Sequence, residues 1–157
     1  MDEEAASLAL LVRQAPAWQA LCAALDIPHD VTIDGMARHV SGTCAAVASL
    51  KAAWATCPLL AVYTVRVTVK ASDVVAAVSD ISGQVLIATF PRPVLQAWPQ
   101  LAHAGCALVL RRVSVHALDA PSPRYLIIDE ASIMAVFGAN ADPVPASVLA
   151  LAPGAHE

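Results

Sequence analysis

The sequence predicts a mainly β fold, with helices laid ahead of it and a single helix inside it, and three observations carry that prediction. Between Leu59 and Phe90 the apolar pattern changes to period two, the signature of half-buried strands. Two further aliphatic runs, Cys106 to His116 and Arg124 to Asp129, follow after one helical stretch. Upstream of Leu59, apolar residues recur at spacings of three and four, which suits helices that bury one face.

Residues 5–13 (AASLALLVR) and 16–25 (PAWQALCAAL) are helical in pattern. Pro16 suits a first turn, and Trp18, Leu21, Cys22 and Leu25 share a face. Pro28 ends the second helix, because proline removes a donor and restricts Ile27. Residues 31–42, with Gly35 and Gly42, give no clear pattern. Thr43 to Cys57 is alanine-rich, is capped by Ser41 or Thr43, and places Val47, Leu50 and Trp54 together, so it predicts a helix that Pro58 stops.

The first strand follows. Tyr63, Val65, Val67 and Val69 fall on its apolar side, while Thr64, Arg66, Thr68 and Lys70 fall on its solvent side. Val74 to Ser79 is a second β-branched run, Asp80-Ile81-Ser82-Gly83 a turn, and Gln84 to Phe90 a third strand. Pro91-Arg92-Pro93 breaks the sheet, and Val94 to Ala104 reads as a helix kinked or broken at Pro99, with Gly105 as its cap. Cys106–His116 is the fourth strand, Ala117–Pro123 an exposed loop, and Arg124–Asp129 the fifth strand, which Ile133–Phe137 extends or closes with a turn.

Three strands, a helix, then two strands is the order of a five-stranded Greek-key OB-fold barrel. A small sandwich or an SH3-like barrel more rarely places a ten-residue helix at that point. The sequence thus divides into an N-terminal helical extension packed on the barrel (1–57), the OB-fold domain (58–137) and a flexible tail (138–157) that contains Pro143, Pro145 and Pro153.

At 157 residues and 58% apolar, the chain has material for one well-filled core. No window holds the roughly 18 uncharged apolar residues of a spanning helix. The acidic start Met1-Asp2-Glu3-Glu4 is unlike a secretory signal. A soluble intracellular protein without membrane association is expected.

Cys22, Cys44, Cys57 and Cys106 form no C-x-x-C pair, and the histidines 29, 39, 103, 116 and 156 are equally scattered. Neither a metal site nor a disulfide framework is expected, and the thiols read as small hydrophobes. There is no Gly-rich phosphate loop, no H-E-x-x-H and no Ser/His/Asp set in a recognisable context. The adjacent carboxylates Asp129 and Glu130 point to opposite faces of a strand. A non-enzymatic protein with no cofactor and no small-molecule substrate follows.

Charge is distributed unevenly. Residues 1–60 carry six acids and three bases, residues 61–128 six bases and three acids, and residues 129–157 four acids and no base, within a net charge of −4. A basic middle between acidic ends suits a modest polyanion-binding sheet. Single-stranded nucleic acid needs cations along its phosphates and flat side chains under its bases. Arg66 and Lys70 on the first strand, Arg92 at the helix connection, Arg111 and Arg112 on the fourth strand, and Arg124 with Tyr125 after the last loop are the candidates. Lys70 and Arg124 are foremost, because the loops after strands one and four frame an OB-fold groove. Because neighbours in a strand alternate, at most one of Arg111 and Arg112 is expected to face the groove. Aromatics are only 4% of the chain, so stacking is sparse, and an OB-fold scaffold that binds protein instead is the competing reading. Tyr63, Phe90, Trp18, Trp54 and Trp98 are expected in core positions.

The Asp80-Ile81-Ser82-Gly83 turn, Val94-Leu95, the run from Gly105 to Leu110 with Arg111-Arg112-Val113-Ser114-Val115, the Ala117–Pro123 loop and Tyr125-Leu126 occur in that order. With Pro16-Ala17-Trp18, Leu21-Cys22 and Leu25-Asp26-Ile27-Pro28 ahead of them, they resemble the OB domain of the homologous recombination OB-fold protein family over residues 16–137. The resemblance implies a nuclear DNA-repair factor that binds DNA. It further implies support of a hexameric helicase of the minichromosome-maintenance type during homologous recombination.

Overall fold

The computed structural model describes residues 3–39, 56–71, 73–116 and 125–139. In chain order these form helices α1 (Glu3–Gln14), α2 (Pro16–Ala24) and α3 (Ile33–His39), and strands β1 (Thr56–Lys70), β2 (Asp73–Ser79) and β3 (Val85–Phe90). Helix α4 (Arg92–Ala97) and a 3-10 turn (Pro99–Ala102) come next, then β4 (Ala107–His116), β5 (Tyr125–Ile127), a second 3-10 turn (Glu130–Ser132) and β6 (Ile133–Phe137).

The strands close on themselves. Going round the ring, β1 pairs with β2, β2 with β3, β3 with β5, β5 with β4, and β4 back to β1. All these pairings are antiparallel except β3–β5, which is parallel. A closed ring in this order, with a helix between the third and fourth strands, is an OB-fold barrel. The predicted fifth strand is split: the Asp129 carboxylate accepts hydrogen bonds from the Ser132 N–H (3.0 Å) and hydroxyl (3.1 Å). That cap turns the chain before β6 resumes alongside β4.

Closure depends on β1, which serves two partners. Its first half, Thr56 to Tyr63, lies on β4, and its second half, Tyr63 to Lys70, lies on β2. The switch falls at Thr64, where the backbone N–H donates to Cys106 O (2.8 Å) and the carbonyl accepts from Gly105 N–H (2.9 Å). The register with β2 shifts between Thr64 and Arg66, so Val65 is an extra residue in a bulge. The inward set is therefore Leu60, Val62 and buried Thr64, and then Val67. This corrects the simple alternation read from the sequence. Thr64 is fully buried rather than solvent-facing, Tyr63 packs half-buried on the outside of the barrel, and Val69 is 62% exposed.

Two cores result. The barrel interior is filled by Leu60, Val62, Val74, Val78, Leu86, Phe90, Leu108, Leu110, Val113, Val115 and Leu126, and by Val94 and Leu101 from the α4 segment that closes one end. The second core lies between the N-terminal helices and the outer side of β1, β4 and β6. There Trp18, Leu21, Leu25, Ile27 and Met36 meet Ala61, Ala107, Val109, Ala135 and Phe137. Three of the sheet's contributors are alanines, which lets the helices approach closely. Strand β4 is thus buried on both faces from Ala107 to Leu110.

Helix α1 reaches the far turn. Gly83, with φ +76°, sits where a Cβ would lie 2.1 Å from Ala5 O, so only glycine permits both the turn and the helix above it. Under it, Asp80 is fully buried and accepts from Ser82 N–H at 2.9 Å.

Several boundaries differ from those read in the sequence. Strand β1 begins at Thr56, so the last two residues of the expected helix over 43–57 are strand, and the rest of that helix lies outside the described residues. Of residues 31–42, which give no clear pattern, Ile33–His39 form α3, whose first turn is capped by the Thr32 hydroxyl accepting from Gly35 N–H at 2.9 Å, and residues 40–42 lie outside the described residues. The helix expected over 94–104 begins at Arg92 and stops at Ala97, because Pro99 cannot continue it and opens a 3-10 turn instead. The tail from 140 onward and the 117–124 loop lie outside the described residues.

Candidate nucleic-acid interface

The helices cover one side of the barrel, and among the described residues the outer face of β1, β3, β5 and the end of β4 carries exposed or half-exposed side chains, whereas on β2 the outward Ala77 (6% exposed) and Ser79 are buried. Register alone assembles its contents. Arg66 pairs with Ala77, Ala77 with Ile87, Ile87 with Tyr125, and Tyr125 with His116. One row of side chains therefore crosses five strands. A second row, two residues along, runs Thr68, Val75, Thr89, Ile127 and Ser114. With neighbouring strands about 4.8 Å apart, the first row spans about 19 Å from Arg66 to His116.

The rows mix one cation, two rings and several aliphatics. The His116 and Tyr125 rings are stacked with centroids 5.4 Å apart and planes 24° from parallel. Next to them Ile87 and Ile127 are 42% and 41% exposed, and Val85, one step along β3, is 48% exposed. Exposed aliphatics gathered on one sheet face mark a surface that meets a partner. Neither row contains an acid.

The predicted site residues separate into groups. Arg66 and Tyr125 lie in the same row of this face. Lys70 ends β1 on the same side, where it pairs in register with Asp73 across the hairpin. Arg92, exposed at the start of α4, lines a concavity of about 510 Å³ with Val69, Ala71, Leu95 and Gln96. Arg111 and Arg112 are both exposed, which corrects the expectation that they point to opposite faces. The inward set of β4 runs Leu108, Leu110 and then Val113, Val115, because Arg112 takes a left-handed φ of +49° and the β1–β4 pairing steps over Pro58 and Arg112. Both guanidiniums consequently leave the barrel, with Arg112 four residues, or about 13 Å, from His116 along the strand. Arg124 lies outside the described residues.

Sequence reasoning missed His116 and the aliphatics Ile87 and Ile127. In β3 and β5 the inward residues (Leu86, Ala88, Leu126) and the outward ones (Ile87, Ile127) are equally apolar, so hydropathy carried no information about which side faces solvent. The signal was the pairing of Tyr125 with His116 at the two ends of one hairpin loop. Phe90 is fully buried and Trp18 is 2% exposed, while Trp98 packs partly buried against the barrel core. Trp54 lies outside the described residues. Burial raises the Tyr63 phenol above its ordinary 10.0, with Cys106 adding to the shift. Cys22 and Cys106 are buried and not in a disulfide, and the Cys106 thiol donates to Gln100 O at 3.3 Å. Among the described residues, no group of three or more His, Cys, Asp or Glu could hold a metal ion. No helix there is long and apolar enough to cross a membrane.

No family model matches the chain, and no curated protein matches it. Among solved structures, the chain is similar to the crystal structure of the S. pombe Stn1-Ten1 complex, at 15% identity and a TM-score of 0.33. The likeness covers 50% of this chain and 54% of that one, so the chain spans about half the length of the protein it matches. The OB-fold assignment rests on the closed strand order and the parallel β3–β5 pairing.

Proposed function

We propose that the open barrel face binds single-stranded DNA, as a non-enzymatic domain with no cofactor. The observation that carries this reading is the row Arg66–Ala77–Ile87–Tyr125–His116. It sets a cation for phosphate and two stacked rings for bases in one row that contains no acid, the combination that single-strand binding uses. Lys70, Arg92, Arg111 and Arg112 widen the basic margin, and Arg124 belongs with them by sequence. With this few cations and rings, binding is weak and falls steeply with salt. On the family resemblance, the domain acts in the nucleus in recombination repair and supports a minichromosome-maintenance-type helicase. The helical extension of residues 1–57, the barrel of 58–137 and the tail of 138–157 are the units of that reading.

Fluorescence anisotropy of a labelled oligonucleotide tests it, with wild type compared against Arg66→Ala and Tyr125→Ala at low and physiological salt. Binding that weakens with salt and with both substitutions supports the reading. An oligonucleotide that stays free at low salt refutes it.

A second reading has its own support. The face is more aliphatic than cationic, with Val85, Ile87 and Ile127 all exposed, and this favours an OB-fold scaffold that binds protein without direct nucleic-acid contact. Retention of a helicase subunit by wild type but not by Ile87→Asp, with no oligonucleotide binding, is the result that selects it.

A further inference from the structure

We propose that the concavity between the β1–β2 hairpin and α4 is a nucleotide subsite that takes the terminal base and phosphate of a single strand lying across the open face. The inference rests on the reading of that face as nucleic-acid-binding. The concavity measures about 510 Å³ and is lined by Val69 and Ala71 from the hairpin and by Arg92, Leu95 and Gln96 from α4. Val69 is the most exposed large hydrophobic among the described residues, at 62%. It shares the inward side of β1 with Val67 but lies past the end of the core, so it looks over the barrel rim. Opposite it, Leu95 packs partly against the barrel core and presents the rest of its side chain to the concavity. Helix α4 is held in place by Val94, which is 1% exposed.

Each lining group matches one part of a nucleotide. Val69 and Leu95 offer apolar walls for the two faces of a base. The Gln96 amide offers a donor and an acceptor for the base edge. The Arg92 guanidinium offers a fork of donors for a phosphate. Among the described residues, no acid lines the concavity. It lies at the end of β1 beside that face: Lys70 follows Val69 directly and stands in line with Thr68 and Arg66 on the opposite, outer side of the strand. The step from Arg66 to Lys70 is four residues, about 13 Å. A strand that follows these side chains and rounds the end of β1 arrives at the concavity. An apolar peptide side chain would use Val69 and Leu95 but leave Arg92 and Gln96 without a role.

The test uses labelled oligothymidylates of about 4 to 16 nucleotides, the range of site sizes for an OB-fold. A single abasic position is moved along each oligonucleotide, and binding is read by fluorescence anisotropy. Val69, Arg92 and Gln96 are exposed, so substituting them leaves the core intact. Wild type is expected to lose about tenfold in affinity when one terminal position is abasic, near the low end of what base stacking contributes. Val69→Asp is expected to bind the intact strand more weakly and to become indifferent to that position. Arg92→Ala is expected to reduce the slope of log affinity against log salt by about 0.7, the share of one phosphate contact on a single strand. A wild type that binds through Arg66 and Tyr125 yet is indifferent to every terminal abasic position overturns the subsite alone, as does a Val69→Asp variant that binds like wild type. A wild type that binds no oligonucleotide overturns both the subsite and the face.

Discussion

His116 and Tyr125 face one another across β4 and β5 with their rings 5.4 Å apart and 24° from parallel. The contact restrains both rings before any ligand arrives, which lowers the entropic cost of stacking a base on them. Tyr125 stands between His116 and Ile87 in its row, so of the two rings it is the one flanked on both sides. Tyr125→Ala is expected to weaken oligonucleotide binding by about 1 to 3 kcal/mol, the contribution of one stacked base. His116→Ala should cost less, and the double variant should cost less than the sum, since the two rings act through one contact. Anisotropy titrations of the four proteins measure all three quantities.

The 80–84 turn is where the helical extension grips the barrel. Gly83→Ala forces a side chain onto a φ of +76° and drives its Cβ to 2.1 Å from Ala5 O. Left-handed strain alone costs about 1 to 2 kcal/mol, and α1 must also lift from the turn. A total loss of about 3 kcal/mol is expected, within the range of substitutions that act through a named steric mechanism. Denaturant unfolding gives the stability, and hydrogen exchange over residues 3–14 shows whether α1 is the part released.

Thr64 holds the point where β1 changes partner. Its hydroxyl accepts from Cys106 N–H at 3.0 Å, and it is fully buried. Thr64→Val keeps the shape but removes that acceptor, so the loss should be about 1 to 3 kcal/mol. Thr64→Ser, which keeps the hydroxyl, should recover most of it. Comparing the two by chemical denaturation separates the hydrogen bond from the packing.

Burial pushes the Cys22 thiol from 9.0 up to about 11, against a smaller opposing pull from Arg13. Arg13 itself is committed to the backbone, donating to Val31 O at 2.7 Å. The raised value means the folded state keeps the proton longer than the unfolded state does. Its contribution to stability is therefore intact below pH 9 and is lost as pH rises from 9 toward 11. Wild type should lose stability over that window more steeply than Cys22→Ala. At pH 8, labelling of Cys22 followed by peptide mapping should be about a hundredfold slower than for a free thiol, as its thiolate fraction dictates.

Much of the barrel was legible because its strands differ from their surroundings in period, and the helix between the third and fourth strands gave the topology. The facing of individual residues was not legible. At Val65 and Arg112 the chain departs from strict alternation, and both departures arise from what the strand pairs with, which no local pattern records. Thr64 consequently reads as a surface residue and is core, while Arg111 and Arg112 read as opposed and leave the barrel together. The candidate surface was hidden for a related reason. Its aliphatics, Ile87 and Ile127, match the apolar residues on the inner side of the same strands, and only the cross-strand register shows that they lie beside Tyr125 and Arg66.

If the row Arg66–Ala77–Ile87–Tyr125–His116 is the ligand surface, its backbone must sense a bound strand. Titration of the protein with a short single-stranded oligonucleotide, followed by amide chemical-shift mapping, tests it most directly. The shifted amides are expected to cluster at Arg66, Ala77, Ile87, Tyr125 and His116, while the α1 and α2 amides stay in place. Shifts confined to the exposed helical residues Leu10 and Leu11, or no shifts at all, would contradict it.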